Sequence, residues 1–314
     1  MSHKETFSFR SADGKTDIHA VYWLPNDLSK CRGVLQLVHG MVEFIERYEP
    51  FAMFMADHGF AVAGHDHIGH GASVLSKDDW GYFPPDRPSD TVVDDMHTLR
   101  GIVQERFPGK PYFILGHSMG SYMLRKYLTK YAQGLSGAVI MGTGYVAPGM
   151  AAFGGFLSGL LARVKGWHYR SMFITSLAFG ASYRRFDVTG KDTSNSWLTK
   201  DPEIVKFYYN EPRCTYLFTL SGYKGLFEAV SYTCRQQNVS LIPASLPVLI
   251  VSGADDPVGD AGEGVKKVEA MMKTAGIRDL TCKLYENDRH EILNELDRET
   301  VFHDLLDWME KHMA

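Results

Sequence analysis

The chain has 314 residues, 45% of them hydrophobic and 22% charged, enough apolar material for a substantial globular core and too much for extended disorder. A formal net charge of −4 and a pI near 6.3 leave no basic footprint for nucleic acid. Four scattered cysteines, Cys31, Cys214, Cys234 and Cys282, contain no C-x-x-C pair, which excludes a zinc module and a disulfide framework and leaves free thiols.

The N-terminal stretch MSHKETFSFRSADGK lacks an apolar signal core, and no run of about 18 apolar residues follows anywhere, so a cytoplasmic chain is expected. Asn238-Val239-Ser240 fits the glycosylation sequon, but without a secretory signal it does not meet that machinery. The first 26 residues alternate around ADGK and predict a hairpin at a sheet edge. Short apolar runs then recur: GVLQLVHG (33–40), AVAGHDH (61–67), PYFILGHS (111–118), LSGAVIMGTG (135–144), LPVLIVSG (246–253) and LTCKLYEN (280–287). Each has the look of a buried parallel strand.

Helix-length patterns separate them. In the segment 89–107, Val92, Met96, Leu99, Ile102, Val103 and Phe107 recur at helical spacing, with Ser89 or Asp90 placed as its cap. Alternating strands and helices predict an α/β protein, an open and mostly parallel twisted sheet covered on both faces. In such sheets ligands bind beyond the carboxyl ends of the strands. The alternation stops between about 145 and 243, which reads as one insertion, leaving 1–144 and 244–314 as the core. Its first helix aligns Phe153, Phe156, Leu157, Leu160, Leu161 and Val164 on one stripe, the pattern of a buried face. The alternatives are a stripe lining an acyl pocket or touching a lipid surface.

Chemistry centres on ILGHSMGSYMLRKYL (114–128). Serine before a helix is a common N-cap. The pattern Gly116-x-Ser118-x-Gly120 is also that of a nucleophile elbow, where a sharp strand-to-helix turn exposes the hydroxyl. A nucleophilic Ser118 needs a base, because a hydroxyl is weak until a neighbour takes its proton. His290, just after the last predicted strand, follows in the right order. The orienting acid belongs after LPVLIVSG, where Asp255, Asp256 and Asp260 are all available. Oxyanion donors are expected from the N–H of Met119, opening a helix, and of Met41, after His39-Gly40.

Taken together, HGMVEFIERY (39–48), HDHIGHGAS (65–73), GHSMGS (116–121), WLTKDPE (197–203), GADDPVG (253–259) and RHEILNE (289–295) resemble the α/β-hydrolase superfamily, most closely its monoacylglycerol lipase and lysophospholipase family, also called serine aminopeptidase-like. The resemblance implies an α/β-hydrolase fold and a Ser118, Asp256, His290 triad, the acid three residues after Gly253. It also implies a helical cap at 145–243 that contributes the acyl pocket. The segment HDHIGHG, with His65, Asp66, His67 and His70, lacks metal-ligand spacing, and the resemblance makes it a structural loop turned by Gly69 and Gly71.

The expected activity is hydrolysis of lipid-like acyl esters without metal or cofactor, with membrane or micelle contact through the cap. Peptidase, amidase or short-chain esterase activity is the alternative; a pocket-bearing protein without turnover is the rival from outside catalysis. Aspartate-nucleophile dehalogenases and epoxide hydrolases are disfavoured by Ser118. Because the base must be neutral, activity is expected to fall below about pH 6 to 7.

Overall fold

A computed structural model describes residues 2–313. Strands β1 (His3–Arg10) and β2 (Asp17–Leu24) are followed by β3 (Gly33–Val38), α1 (Glu49–Asp57), β4 (Phe60–His65), α2 (Pro88–Arg106), β5 (Tyr112–His117), α3 (Met119–Tyr131) and β6 (Gly137–Met141). Then come α4 (Pro148–Lys165), α5 (Met172–Ala178), α6 (Pro202–Asn210), α7 (Leu220–Thr233) and α8 (Gln236–Val239). Strand β7 (Val248–Gly253), α9 (Glu263–Thr274), β8 (Leu280–Tyr285) and α10 (Arg298–Lys311) complete the chain.

All eight strands form one sheet in the order β1-β2-β4-β3-β5-β6-β7-β8, with β1 and β2 antiparallel to their neighbours and β3 to β8 parallel. Each of the six apolar runs is a strand of this sheet, and β1–β2 is the predicted edge hairpin.

Alternation within each strand feeds two cores. Val34 and Val38 of β3 meet α2 and α3 through Val92, Met96, Met123 and Leu124, while Leu35 and Leu37 face α1 and α10 through Phe51, Met55, Phe302 and Leu305. Every one of these side chains is essentially inaccessible, and each such burial contributes about 1.5–3 kcal/mol. Gln36, the polar exception in β3, is satisfied: its amide donates to Met96 O at 3.0 Å and its carbonyl accepts from Tyr112 Oη at 2.7 Å. Strand β8 differs from the expected buried pattern, because at the sheet edge alternate residues remain exposed.

Two expectations need correction. Helix α2 starts at Pro88, whose missing N–H suits the first helical position, and neither Ser89 nor Asp90 caps it. Both serve Lys126 instead, which lies 2.8 Å from Ser89 Oγ and 3.0 Å from Asp90. The apolar stripe of α4 is only partly its buried face: Leu157 and Leu161 pack half-buried against the core. Phe153, Phe156, Leu160 and Val164 are 58%, 63%, 47% and 79% exposed, and the buried positions are the small Ala151, Gly154, Ser158 and Ala162. A Cβ on Gly154 would come within 2.9 Å of the Phe227 ring in α7, so close helix approach selects small residues there. No strand occurs in the segment 142–247, and no helix among the described residues is long and apolar enough to cross a membrane.

Candidate active site

Four loops at the carboxyl ends of β3, β5, β7 and β8 carry Met41, Ser118, Asp256 and His290. Ser118 joins β5 to α3 with φ 54° and ψ −121°, a conformation that costs a non-glycine residue about 1–3 kcal/mol. Its flanking glycines are obligatory: a Cβ on Gly116 would lie 2.5 Å from Gly120 O, and one on Gly120 2.2 Å from Val38 O. Ser118 N–H donates to Met141 O at 3.0 Å, and Ser118 O accepts from Ser121 N–H at 2.9 Å, fixing both sides of the turn. The hydroxyl makes no capping bond to α3, so capping does not account for this serine.

His290 Nδ1–H donates to Asp256 Oδ2 at 3.0 Å, and both side chains are buried. Ser252 Oγ donates to the same oxygen at 3.0 Å, and Val258 N–H to Oδ1 at 2.8 Å. Burial alone would raise the Asp256 carboxyl above its ordinary range, but His290 and these donors outweigh it and hold it lower. Asp255 turns to the surface near Arg185, and Asp260 accepts from Ser182 Oγ. Among the described residues neither Ser118 Oγ nor His290 Nε2 has a protein hydrogen-bond partner.

The loop after β3 that carries Met41 lies against the serine, since a Cβ on Gly40 would be 3.0 Å from Ser118 Cβ. His39 Nδ1–H donates to Gly40 O at 2.8 Å, while His39 Nε2 accepts from His67 N–H at 2.9 Å. In a trans peptide C=O and N–H point oppositely, so pinning Gly40 O sets the direction of Met41 N–H. His67 Nε2–H in turn donates to His39 O at 3.1 Å. The HDHIGHG segment thus braces this loop, and Asp66 accepts from Ile45 N–H and Ala72 N–H, each at 2.8 Å. Among the described residues no three His, Cys, Asp or Glu side chains are grouped to hold a metal ion.

Bracing has an acid-sensitive component. His65 is fully buried and neither ring nitrogen finds a partner, so burial holds its imidazole well below the ordinary value. Burial likewise lowers His67 to about 4 and His70 to about 3. A histidine depressed in the folded state contributes stability that is complete above the unfolded value near 6.5 and is lost as pH falls toward the folded one. Leucine at position 65 does not titrate. His65→Leu should therefore gain on the wild type by about 1.4 kcal/mol per pH unit below 6.5. Urea midpoints at pH 7.5 and 5.0 check this; a pH-independent difference rejects it.

Sequence reading missed a charged cluster behind the site. Arg47 binds both oxygens of Glu291 at 2.8 and 2.7 Å and reaches Glu43 at 2.8 Å, with all three side chains no more than 5% exposed. Glu43 also accepts from Gly40 N–H and from Tyr48 Oη, the latter at 3.0 Å. His117 lies 2.9 Å from Tyr48 Oη, and its Nε2–H donates to His290 O at 3.2 Å. Burial opposes ionisation of Glu43, yet His117 and Arg47 bring it down to about 2. Burial also works against a charge on His117, but the Glu43 and Glu291 carboxylates hold that imidazole above its usual value. The signal was present as Glu43 and Arg47 four residues apart on the loop after β3 and Glu291 beside His290.

Comparisons with known proteins bear on the family and the fold. Residues 29–297 match the Hydrolase_4 family, described as serine aminopeptidase, S33. A monoacylglycerol lipase of Mycolicibacterium smegmatis is 27% identical over 99% of both chains, and the monoglyceride lipase of Homo sapiens is 26% identical over 97% of this chain and 90% of its own. A thermostable carboxyl esterase from Bacillus coagulans, solved with glycerol, superposes with a TM-score of 0.89 at 31% identity, covering 99% of each chain.

Proposed function

Because the chain belongs to the serine aminopeptidase S33 family and has the α/β-hydrolase fold, we propose that it is a serine carboxylic-ester hydrolase acting on lipid-like acyl esters such as monoacylglycerols and lysophospholipids. The observation that carries this reading is the convergence of an elbow serine with φ 54°, a buried His290–Asp256 pair and a braced donor loop.

In this mechanism Ser118 Oγ attacks the ester carbonyl carbon while His290 Nε2 takes the hydroxyl proton. The tetrahedral oxyanion is held by the N–H groups of Met41 and Met119, each donor worth roughly 3–4 kcal/mol of barrier. The dipole of α3 adds to the second. Collapse breaks the bond to the alcohol, which leaves with the proton from His290. Water then gives a proton to His290 and attacks the acyl-enzyme; Ser118 recovers its proton as the carboxylic acid departs. Asp256 keeps the imidazole in the tautomer with hydrogen on Nδ1 and stabilises its cation. No cofactor takes part.

Residues 145–243 serve as the helical cap. The lipid-like substrate class is supported by the exposed apolar face of α4, by Met172 and Phe173 of α5, which are 67% and 60% exposed, and by the named activities of the relatives. That face also suits contact with a membrane or micelle. A fluorophosphonate probe should label the folded wild type and not Ser118→Ala, and p-nitrophenyl esters should be cleaved faster as the acyl chain lengthens. Equal labelling of the two proteins overturns the serine mechanism; turnover confined to the shortest esters overturns the lipid assignment.

A further inference from the structure

The imidazole of His290 lies between two rings. His117 is on one side at a centroid distance of 4.6 Å, and the indole of Trp197 packs against it at 5.1 Å with planes inclined 30°. Trp197 comes from the segment between β6 and β7, far from His290 in sequence. It is held by edge contacts from Tyr183 at 5.3 Å and Phe179 at 6.5 Å. Backbone bonds clamp the two segments together: His290 N–H to Trp197 O at 3.4 Å and Glu291 N–H to Leu198 O at 2.8 Å. Arg289 donates to Ser196 O, and Thr199 Oγ1 donates to Asn294 O at 2.9 Å and lies 3.0 Å from a Glu295 oxygen. Such a seam is more than a packing contact requires.

We infer that Trp197 is a positioning residue for the reaction, its indole face stabilising the imidazolium that His290 becomes when it takes the Ser118 proton. The inference rests on the reading of His290 as the base. A cation over an aromatic face is attracted by the ring quadrupole, most strongly by tryptophan, whereas neutral imidazole gains little. The contact therefore strengthens as the proton moves, which is the condition for accelerating a chemical step. Other ionisable groups facing His290 are Asp256 on Nδ1, His117 on its second face, Arg289 and Glu291 beside it, Tyr183 and Tyr122 toward Asp256, and Glu43 with Arg47 behind His117. None of these is removed by changing Trp197.

Trp197→Leu should lower kcat/KM roughly 3- to 30-fold, mainly through kcat, with Trp197→Phe falling between. Removing the face makes the charged ring less favourable, so a proton binds only at lower pH and the acid limb of the kcat/KM profile moves down by about half to one unit. A purely structural role would reduce activity without moving that limb. Thermal melting checks each variant for folding; if Leu does not fold, Trp197→Met takes its place in the order Trp, Phe, Met. Wild-type kinetics in the folded non-aromatic variant, or lost activity with an unmoved limb, overturns the inference. His290→Gln run alongside separates the two readings: full turnover there refutes the base itself, whereas an inactive His290→Gln with silent Trp197 variants refutes only the role of Trp197.

Discussion

Asp256→Asn should fold with nearly unchanged melting temperature and turn over about 10⁴-fold more slowly. The carboxylate accepts three bonds, from His290 Nδ1–H, Ser252 Oγ and Val258 N–H. Asparagine offers one oxygen and one NH₂, and with the oxygen kept by Val258 N–H its NH₂ faces the imidazole. The ring then accepts at Nδ1 and carries its hydrogen on Nε2, where it cannot take the proton of Ser118. Asp255→Asn is the control, because that side chain is about half exposed and makes only a 3.9 Å contact with Arg185. Near-normal kcat in Asp256→Asn, or equal losses in the two variants, contradicts the assignment of the acid.

Arg47→Met should cost about 3–5 kcal/mol of stability, with a large fall in melting temperature. The methionine fills much of the same space, so the loss is electrostatic. Glu43 and Glu291 would remain buried with their shared cation gone. Activity should fall in the surviving folded protein as well, since Glu43 holds Gly40 N–H and Glu291 follows His290. Adding Glu291→Gln to Arg47→Met should recover part of the stability, because one unpaired charge is removed. Denaturant melts of the single and double variants measure this; a loss under 1 kcal/mol would show that the carboxylates are neutralised by other means.

Much of the framework was legible because burial on both faces leaves a simple signature. Six short apolar runs became six neighbouring strands, and the order Ser118, Asp256, His290 follows the order of the loops after β5, β7 and β8. What escaped the sequence depended on partners remote in the chain. The stripe on α4 looked like an inward face, yet close approach of α7 reserves that side for Ala151, Gly154, Ser158 and Ala162. Ser89 and Asp90 resembled caps until Lys126 was brought beside them by the packing of α3 on α2. The Arg47 cluster joins residues 244 positions apart, so although Glu43 and Arg47 stand four residues apart in the sequence, their pairing with Glu291 shows only in the fold.

The stretch without strands leaves the sheet after Met141 and returns at Val248, on β6 and β7, which are hydrogen-bonded neighbours. Because β6 and β7 are parallel and Val248 pairs with Ala138, three residues before Met141, the two ends lie roughly 11 Å apart, at opposite ends of adjacent strands. The stretch between them has to span that offset, while the register of β6 on β7 is set by the strands' own pairing. Several points along it are tied back to the scaffold: residues 196–199 interlock with 289–295, Thr219 Oγ1 donates to Gly81 O, and Arg125 donates to Thr233 O. A change of length in this stretch would therefore be expected to fall between these ties and leave them in place, the one beside His290 included.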